Sequence, residues 1–415
     1  MPRVVVIGAG AAGTMAAIFA ATEGVETVLL ERTKDGGRKI LISGGGRCNV
    51  LPARLDESRF VTDSSPHLLR RIVRSWPLHE QIAFFERELG LPLVEETASG
   101  KLFPKSQSAR DVRDTLLTHA RRKGVTIVTD TFVTGIRPSV ERWIIERQDG
   151  EPLDADAVVL ATGGLSVPNT GSDGRGLEIA DALGHALNPT YAALTPLTAR
   201  PKQETASPPP FAHLSGVSLP ITITARSGAR EAHATGGFLF THQGYSGPSV
   251  LDVSHVAVRS LAGEGTPAKI TVQWTPLRDS GWEDVLRPRA TRTVLAAISD
   301  ELPLRLADAL VAAARVEPTR ALAQLGRAER LRLIEVLVRG ELPWTGDEGY
   351  KKAEVTGGGV NLAEIDARTM ESRKHEGLFM CGEMLDAFGP IGGYNFLWAW
   401  ATGRAAGLGA ANRLR

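Results

Sequence analysis

A glycine-rich turn near the N-terminus constrains the fold of this chain more than any other feature. The wholly apolar run Val4–Ile7 leads directly into Gly8-Ala9-Gly10-Ala11-Ala12-Gly13. Such a run is typical of a strand buried in a parallel sheet, and the small residues after it predict a helix packed closely on that sheet. Gly8 permits a tight turn, Gly10 lets the backbone approach a pyrophosphate, and Gly13 lets the helix close on the strand. The helix start then offers free N–H groups to phosphate.

An acidic residue supports the same interpretation. Glu31 closes the second apolar run, Val25–Leu30, and lies 18 residues beyond Gly13. A carboxylate at the end of that strand is placed to bind the hydroxyls of an adenosine ribose. Strand, glycine turn, helix and acid together predict a dinucleotide site. The motif alone does not distinguish FAD from NAD.

The segment that follows the acid favours FAD. Arg32–Asn49 shows neither a helix nor a strand period, yet it is too apolar for a linker. Arg38 and Lys39 are placed to neutralise a pyrophosphate, and the run Ser43–Gly46 lets the backbone lie against a flat ring. The strand end Leu160–Gly164 is a second place where backbone can approach the cofactor.

A second glycine-rich motif lies near the C-terminus and suits the flavin end of FAD. Gly382 and Glu383 offer a carboxylate at a strand end, which we expect to bind ribityl hydroxyls. Gly392-Gly393-Tyr394-Asn395 then opens a closing helix, Phe396–Leu408. Amides at its start are expected to face N1 and the C2 carbonyl of the flavin, where negative charge builds on reduction.

Composition narrows the class of protein. The chain has 415 residues, a net charge of +1 and two cysteines. We therefore expect more than one domain, no nucleic-acid or membrane partner, no disulfide framework and no metal site. No signal peptide or transmembrane segment is recognisable, so we expect a cytoplasmic location. We also expect a small-molecule substrate. The oligomeric state stays open. The basic stretch around Lys101–Lys105 and Arg110–Lys123 is interpreted as a solvated helix face.

The order of elements predicts an α/β protein with an insertion. A nucleotide domain over 1–190 is followed by a β-rich substrate domain over 191–290 and a small helical domain over 291–350. The nucleotide domain resumes over 351–415, where the glycine-rich motifs return.

At this point the sequence resembles the BaiN/YhiN-like family of conserved flavoproteins, which includes aminoacetone-oxidase-like enzymes. The matching stretches are the first glycine motif with Glu31 and residues 37–49, 161–176, 236–254, 354–372 and 377–395. The resemblance implies a glutathione-reductase-type (Rossmann-like) FAD domain with an inserted β-barrel and a small helical domain. The loop Asp386–Gly389 and the segment Thr198–Pro210 depart from the family pattern, so the substrate is not carried over.

Motifs and resemblance together define the expected FAD contacts, among which Val133 comes from the resemblance alone. The expected cofactor-binding residues are Gly8, Gly10, Ala11, Ala12, Gly13, Glu31, Arg32, Arg38, Lys39, Ser43, Gly44, Gly45, Cys48, Asn49, Val133, Ala161, Thr162, Gly163, Gly382, Glu383, Gly392, Gly393, Tyr394 and Asn395.

The expected function is an FAD-dependent oxidoreductase that moves a hydride between a small molecule and flavin N5. His242, Arg47 and Tyr394 are the catalytic candidates, although flavin chemistry can proceed without an acid or base from the protein. The resemblance implies either amine oxidation by oxygen or reduction of a C=C bond with NAD(P)H as the diffusible electron donor, and both stay open. The alternatives are an FAD-dependent tRNA-modifying protein and a flavin-binding protein without turnover.

Overall fold

A computed structural model describes residues 1–140, 142–200, 211–262, 266–288 and 292–415. Most of the Thr198–Pro210 segment therefore lies outside the described residues. Contacts divide the chain into two compact units, one formed by 1–192 with 354–415 and the other by 193–353. The domain borders drawn above from the sequence stay a prediction.

The elements have the following bounds. The strands are, in chain order, β1 Arg3–Ile7, β2 Glu26–Leu30, β3 Leu51–Pro52, β4 Leu93–Glu96, β5 Lys101–Pro104, β6 Thr126–Val128, β7 Val133–Pro138, β8 Trp143–Arg147, β9 Leu153–Ala155, β10 Ala157–Leu160, β11 Leu187–Ala193, β12 Leu197–Thr198, β13 Ser218–Ser227, β14 Arg230–Phe240, β15 Gly244–Ser246, β16 Lys269–Gln273, β17 Gly340–Glu341, β18 Gly346–Asp347, β19 Val355–Val360 and β20 Leu378–Met380. The α-helices are α1 Ala11–Ala20, α2 Arg38–Ile42, α3 Pro66–Arg74, α4 Leu78–Ala83, α5 Ala109–Arg122, α6 Arg175–Ala182, α7 Pro248–Leu261, α8 Asp279–Val285, α9 Val294–Ser299, α10 Leu304–Ala313, α11 Arg327–Arg339 and α12 Tyr394–Arg413.

The first unit is built on a five-stranded parallel sheet in the order β20-β10-β1-β2-β6. In its centre Val5 lies opposite Val28 on one side and Val158 on the other. These side chains are buried because layers cover both faces, which explains the unbroken apolar runs in the sequence. The carboxyl ends of the parallel strands share one edge, where β1 and β10 pass into the glycine-rich loops and β2 passes into Glu31.

Helix α1 packs against α12 at unusually close range. A β-carbon added at Gly403 would overlap the carbonyl oxygen of Ala12, and one added at Gly407 would overlap that of Ala16. The matching order of the contacts shows that the helices run in the same direction. Nine residues of α12 precede Gly403 and one residue of α1 precedes Ala12, so α12 begins about 12 Å beyond the start of α1 at 1.5 Å per residue.

Smaller sheets surround this core. Strands β3, β5 and β4 form one antiparallel sheet, and β7, β8 and β9 form another. Ser108 caps α5, since its hydroxyl accepts a hydrogen bond from the Asp111 amide at 3.3 Å. Two expectations were wrong: Arg38–Ile42 forms a short helix, and Lys101–Pro104 is a strand and not part of a helix.

The second unit contains an antiparallel sheet with the strand order β17-β16-β13-β14-β15-β12-β18. Helix α7 packs on β13 and β14, and α8 to α11 contribute to the same hydrophobic core as the sheet. Phe240 stacks on Trp274 with ring centroids 5.8 Å apart, and the Tyr245 hydroxyl donates to the Pro343 carbonyl at 2.8 Å. Sheet and helices of this unit therefore form one packed body.

The close contact between α1 and α12 gives a stability prediction. Gly→Ala in an exposed helix interior stabilises a protein by about 1 kcal/mol. Gly407→Ala should instead lower the free energy of unfolding by about 1–3 kcal/mol, because the new methyl group forces the helices apart. Urea denaturation of the two proteins measures this difference. A more stable variant would show that the helices do not depend on this contact.

Candidate active site

The first glycine motif forms a cradle with open space in front of it. Gly8 has a φ of +103°, and a β-carbon there would lie 2.6 Å from the Ala161 carbonyl oxygen. One at Gly13 would overlap the Gly8 carbonyl oxygen, whereas one at Gly10 would meet no atom within 4 Å. Gly8 and Gly13 are thus required by packing. Gly10 instead borders free space, as a phosphate-binding position must.

Helix α1 presents an uncapped N-terminus to that space. Its N-cap is Gly10, no side chain accepts a hydrogen bond there, and the first turn, with Ala11 and Ala12, carries no acid. The positive end of the helix dipole is therefore not compensated by the protein. Backbone amides and dipole together suit a pyrophosphate, so the cradle fits the dinucleotide that the sequence predicts.

Glu31 lies beside the cradle and is buried. Its carboxylate accepts hydrogen bonds from the Ala9 amide at 2.9 Å and from the Thr33 amide and hydroxyl at 2.8 and 2.7 Å. The Thr131 amide donates to the Glu31 carbonyl at 2.8 Å, which brings the start of β7, with Val133, to the same edge. This is the expected position for a ribose-binding acid and an adenine-contacting strand, and both roles stay predictions.

Arg32 and Arg38 are engaged with acidic residues of their own surroundings. Arg32 forms an ion pair with Asp173 and stacks over the Phe132 ring. The Arg38 guanidinium donates to Asp35 at 2.9 Å. To bind a pyrophosphate, either guanidinium would have to contact the phosphate in addition to, or in place of, its present acidic partner.

Lys39 connects three of the motifs in a polar network. Its ammonium donates to the Glu383 carboxylate and to the Ser166 hydroxyl, each at 2.6 Å. The other Glu383 oxygen accepts hydrogen bonds from the Ser166 hydroxyl and, at 3.0 Å each, from the Thr356 amide and hydroxyl. Both oxygens of Glu383 thus have protein partners, and ribityl hydroxyls would have to join or displace them.

Two strand ends complete the middle of the site. The loop after β10 carries Ala161, Thr162 and Gly163, and a β-carbon at Gly163 would overlap the Ser172 hydroxyl. One at Gly382, after β20, would lie 2.7 Å from the Ala12 side chain, so this strand end touches the first turn of α1. The N-terminal and C-terminal motifs therefore meet at the sheet edge.

The far end of the site lies at the start of α12. Asn49, with its amide oriented to satisfy both neighbours, accepts from the Gly393 amide at 2.9 Å and donates to the Leu51 carbonyl at 3.2 Å. Gly393 is the N-cap, with a φ of +90°, and no side chain caps the helix. A β-carbon there would overlap the Leu51 backbone. Strand β3 and the helix start are thus held together.

The neighbouring predicted residues have mainly local partners. The Ser43 hydroxyl donates to the Ile40 carbonyl at 2.7 Å, Gly44 packs near Asn49, and Gly45 faces open space. Cys48 is buried, and burial raises the pKa of its thiol to about 12; burial also raises the pKa of the Cys381 thiol. Neither cysteine is therefore a thiolate at neutral pH.

Tyr394 and Asn395, at the first turn of α12, also bind the protein itself. The Tyr394 hydroxyl accepts from the Asp56 amide at 3.2 Å, and its buried ring packs edge-on against Phe60. The Asn395 amide exchanges two hydrogen bonds of 2.9 Å with the backbone of Gly389. These contacts fix the loop before the helix, so a cofactor contact would come from the amides and not from these side chains.

Two functional candidates were missed in the sequence. Lys101 lies on β5, and its Cε would be 3.9 Å from a β-carbon added at Gly392, at the predicted flavin end. Glu354 directly precedes β19, and its carbonyl accepts from the Ser166 hydroxyl at 3.3 Å. Among the described residues, neither side chain has a hydrogen-bonding or ion-pair partner. Only the pairing of β5 with β3 reveals Lys101, because no local motif marks it.

Desolvation raises the pKa of the Glu354 carboxyl, while the charges of Lys101 and Lys39 act in the opposite direction. The side chain is nevertheless accessible to solvent. Protein atoms largely surround the Glu354 carboxyl, yet solvent reaches it. This combination is typical of a concave surface. Glu354 thus carries a proton more readily than an ordinary glutamate, which is the property of a general acid.

The remaining catalytic candidates are placed differently. The Arg47 guanidinium forms an ion pair with Glu96 at 3.0 Å and stacks over Phe103 at 4.2 Å. His242 belongs to the second unit, where it is exposed in the turn between β14 and β15 and contacts Gln243. A catalytic role for either residue stays a prediction.

The divergent loop Asp386–Gly389 has a structural anchor. The Asp386 carboxylate is buried and accepts from the Ser64 amide at 2.8 Å, the Ser64 hydroxyl at 2.7 Å and the Asn188 amide group at 2.6 Å. Further donors come from Thr62 and Asp63. This aspartate therefore joins the loop to the segment before α3.

Comparison with known proteins identifies the family. The sequence matches the family described as HI0933-like protein, Rossmann domain, over residues 2–409. The chain belongs to this family. It is 32% identical to the 3-dehydro-bile acid delta(4,6)-reductase of Clostridium scindens, with all of both chains covered. It is 33% identical to the ribosomal RNA dihydrouridine synthase of Escherichia coli, covering 96% of this chain and 95% of that one.

Solved structures agree on the fold. The 3-ketosteroid delta1-dehydrogenase of Sterolibacterium denitrificans superposes over the whole of both chains with a TM-score of 0.52 at 13% identity. Family and fold confirm the Rossmann-like flavoprotein prediction: the chain is an FAD-dependent oxidoreductase. Among the described residues, no helix is long and apolar enough to cross a membrane, and no group of three or more acidic, His or Cys side chains is arranged to hold a metal ion.

The contrast between Gly10 and Gly13 tests the cradle. Gly10 has φ −76° and ψ −169°, which alanine also adopts, and its missing side chain faces open space. Gly10→Ala should leave the unfolding curve of the apoprotein unchanged and weaken FAD binding at least about tenfold, or about 1.4 kcal/mol. Titration of apoprotein with FAD, followed by flavin fluorescence, measures the affinity.

Gly13→Ala is the matched comparison. Its methyl group overlaps the Gly8 carbonyl, so this variant should lose stability in the absence of FAD. If the Gly10 variant bound FAD as tightly as the parent, the pyrophosphate could not lie in front of α1.

Proposed function

We propose that this enzyme reduces a carbon–carbon double bond conjugated to a carbonyl group, with NAD(P)H as the donor that reduces its FAD. The observation that carries the proposal is that Lys101, beside the start of α12, and Lys39 are both close enough for their charges to act on the Glu354 carboxyl. A cation beside the start of α12 and an acid with a raised pKa are the two groups that such a reduction uses.

The names of two full-length relatives describe this type of reaction. A delta(4,6)-reductase saturates carbon–carbon double bonds of a 3-oxo steroid skeleton, and a dihydrouridine is a uridine whose ring double bond has been saturated. The substrates differ widely in size and polarity. For a double bond next to the carbonyl the reaction is the same: a hydride adds to the carbon farther from the carbonyl, and a proton adds to the carbon beside it.

The protein contributes charge and position to this reaction. When bound, FAD supplies the hydride at N5 of its flavin ring. The free amides at the start of α12 and the Lys101 ammonium stabilise negative charge at that end of the site. The Lys39–Glu383 pair joins α2 to the segment after β20, and in this proposal it fixes the walls around the ribityl chain.

Glu354 supplies the proton in this proposal. Its carboxyl holds a proton to a higher pH than a solvated glutamate, and it lies within the electric field of Lys101 and Lys39. After the proton has moved to the substrate, these two cations stabilise the carboxylate that remains. No other acid or base of the first unit is required by the mechanism.

Half-reactions without oxygen test the proposal. NADH and NADPH are mixed separately with the oxidised holoenzyme, and flavin absorbance reports its reduction. The reduced enzyme is then mixed with a 3-oxo-Δ4,6-steroid, a uridine-containing RNA or buffer. Reoxidation by either acceptor with formation of the saturated product supports the proposal.

Other outcomes point to the alternatives. Flavin reduction by small amines, with both unsaturated acceptors inert, would overturn the proposal in favour of an amine oxidase. A flavin that neither nicotinamide reduces would exclude NAD(P)H as the donor. A flavin that no substrate of either kind reduces or reoxidises would indicate a binding protein without turnover.

The Glu354→Gln variant tests the proton donor. Loss of a general acid should slow reoxidation of the reduced flavin by the unsaturated acceptor by about 100-fold or more. Reduction by NAD(P)H should be unchanged, because that step needs no proton from Glu354. Stopped-flow absorbance measures both rates, with Glu23→Gln, on the exposed loop after α1, as the control. Equal losses in both half-reactions would contradict a role in proton transfer.

The pH dependence of stability gives a second measurement on the same variant. A raised carboxyl pKa stabilises the fold below the ordinary pKa of glutamate, and this contribution is lost as pH rises through the folded-state pKa. Glu354→Gln removes the desolvated charge. Its thermal stability relative to the parent should therefore be higher at pH 8 than at pH 4.

A further inference from the structure

A strongly basic cavity lies on the first unit and is not used by the chemistry described above. Its volume is about 650 Å³. We call it the arginine cavity, after the side chains that line it: His67, Arg70, Arg71, Arg74 and Arg368. Ligand sites of this size are normally apolar with a few polar groups. This lining is cationic, so it suits an anion and not a steroid.

Helix α3 organises the arginine cavity. Its four basic residues have the spacing i, i+3, i+4, i+7, which places them on one helical face. The opposite face, with Leu69, Ile72 and Val73, is buried, and α3 packs against α12. The basic face is therefore held outward by the packing of the apolar face. Arg368 completes the cavity from the segment after β19.

The positive charge in the cavity is only partly balanced by the protein. Arg74 forms an ion pair with Glu57 at 2.8 Å. Across the part of the chain that the structure describes, the guanidinium groups of Arg70, Arg71 and Arg368 have neither an ion pair nor a hydrogen bond. The adjacent Asp366 carboxylate accepts from the Arg368 amide at 2.8 Å and pairs with the Arg373 guanidinium at 3.8 Å, so its charge is shared among several cationic neighbours, of which Arg71 is one. Three like charges on a concave surface repel one another unless an anion binds between them.

Guanidinium groups are especially suited to phosphate. Their planar forks donate two parallel hydrogen bonds to phosphate oxygens, and they keep their charge at any physiological pH. Several guanidinium groups spread over a cavity of this size are more than one small phosphate ion can contact. A nucleic-acid backbone carries phosphates in a row and can contact all of them.

The position of α3 relates the cavity to the flavin end of the site. The loop Val61–Ser64 leads into α3. Val61 pairs with the Phe388 backbone, and the Ser64 amide donates a hydrogen bond to the Asp386 carboxylate. The chain then runs from Phe388 into Gly392 and the start of α12. Packed helices lie about 8–10 Å apart. The cavity is thus about one helix thickness from α12.

We propose that the arginine cavity binds the phosphate backbone of an RNA substrate while one of its bases enters the flavin site. This inference rests on the proposed function and selects RNA from its two substrate classes. It departs from the expectation of no nucleic-acid partner, which relied on the net charge of +1. A net charge averages over the whole surface, whereas phosphate responds to the local cluster.

RNA binding without turnover tests this proposal. The oxidised holoenzyme, without nicotinamide, is titrated into a fluorescein-labelled oligouridylate of about 20 nucleotides at several KCl concentrations, and anisotropy is measured. The variant Arg70→Gln/Arg71→Gln/Arg368→Gln removes the unpaired charges. The salt dependence, log K against log[KCl], should become shallower by about 2, since each phosphate contact to single-stranded nucleic acid contributes about 0.7.

A matched variant controls for net charge. Arg110→Gln/Arg121→Gln/Arg122→Gln removes three exposed arginines from α5 of the same unit. It should bind the oligonucleotide with nearly parental affinity and slope. Thermal melting and flavin content confirm that both variants are folded, and all substitutions lie on the surface. Equal losses in the two variants would overturn the proposal.

Competing anions provide the remaining outcomes. If inorganic phosphate or NADPH displaced the RNA at concentrations near that of the RNA, the cavity would be assigned to a small anion. This result would overturn the proposal. A second outcome is that the protein binds no RNA but binds vesicles of phosphatidylcholine with phosphatidylserine, and that the cavity variant loses this vesicle binding. That result would assign the cavity to a membrane surface instead. RNA bound through the cavity with no double-bond reduction would refute only the proposed function. Reduction of the steroid without RNA binding would refute only this inference.

Discussion

The contact between α1 and α12 is the interaction on which the site depends. Gly403 and Gly407 let the two helices touch backbone to backbone, so the first and last parts of the sequence form one layer. The helices run in the same direction, and both begin at glycine with no side-chain cap. Two positive helix ends, offset by about 12 Å along the helix axis, therefore face the same edge of the sheet. In the proposed site, this offset separates the pyrophosphate position from the flavin position.

The charged groups along this edge of the sheet differ from the α1 end to the α12 end. At the α1 end, the first turn of the helix carries no acidic residue, and the Glu31 carboxylate beside the cradle accepts hydrogen bonds from two amides and the Thr33 hydroxyl. In the middle, Lys39 and Glu383 neutralise each other while they join α2 to the segment after β20. Lys101 lies beside the start of α12, and its charge acts on the Glu354 carboxyl. Along this edge Glu31, Lys39 and Glu383 thus have hydrogen-bonding partners in the protein, whereas the side chains of Lys101 and Glu354 have none among the described residues.

Much of this arrangement was predictable from local patterns. The strand before Gly8, the helix after it and the acid at Glu31 have obligatory spacings, because a phosphate must meet backbone amides at a helix start. The capping of α5 by Ser108 follows from the same kind of short-range rule. The secondary structure around Lys101 was wrongly predicted for the opposite reason. A charged residue beside a helical pattern looks solvated until the strand that pairs with it is known.

The sequence by itself determined the family, the parallel sheet and the places where backbone approaches a cofactor, since these depend on apolar runs and on glycines that nothing larger can replace. Tertiary structure alone decided which polar groups are used and which are free. Asp386 became a buried anchor, Arg47 formed an ion pair, and Arg70, Arg71 and Arg368 came together at one cavity. The reason is that a charged side chain interacts over distances set by folding, and its partners come from segments far away in the chain.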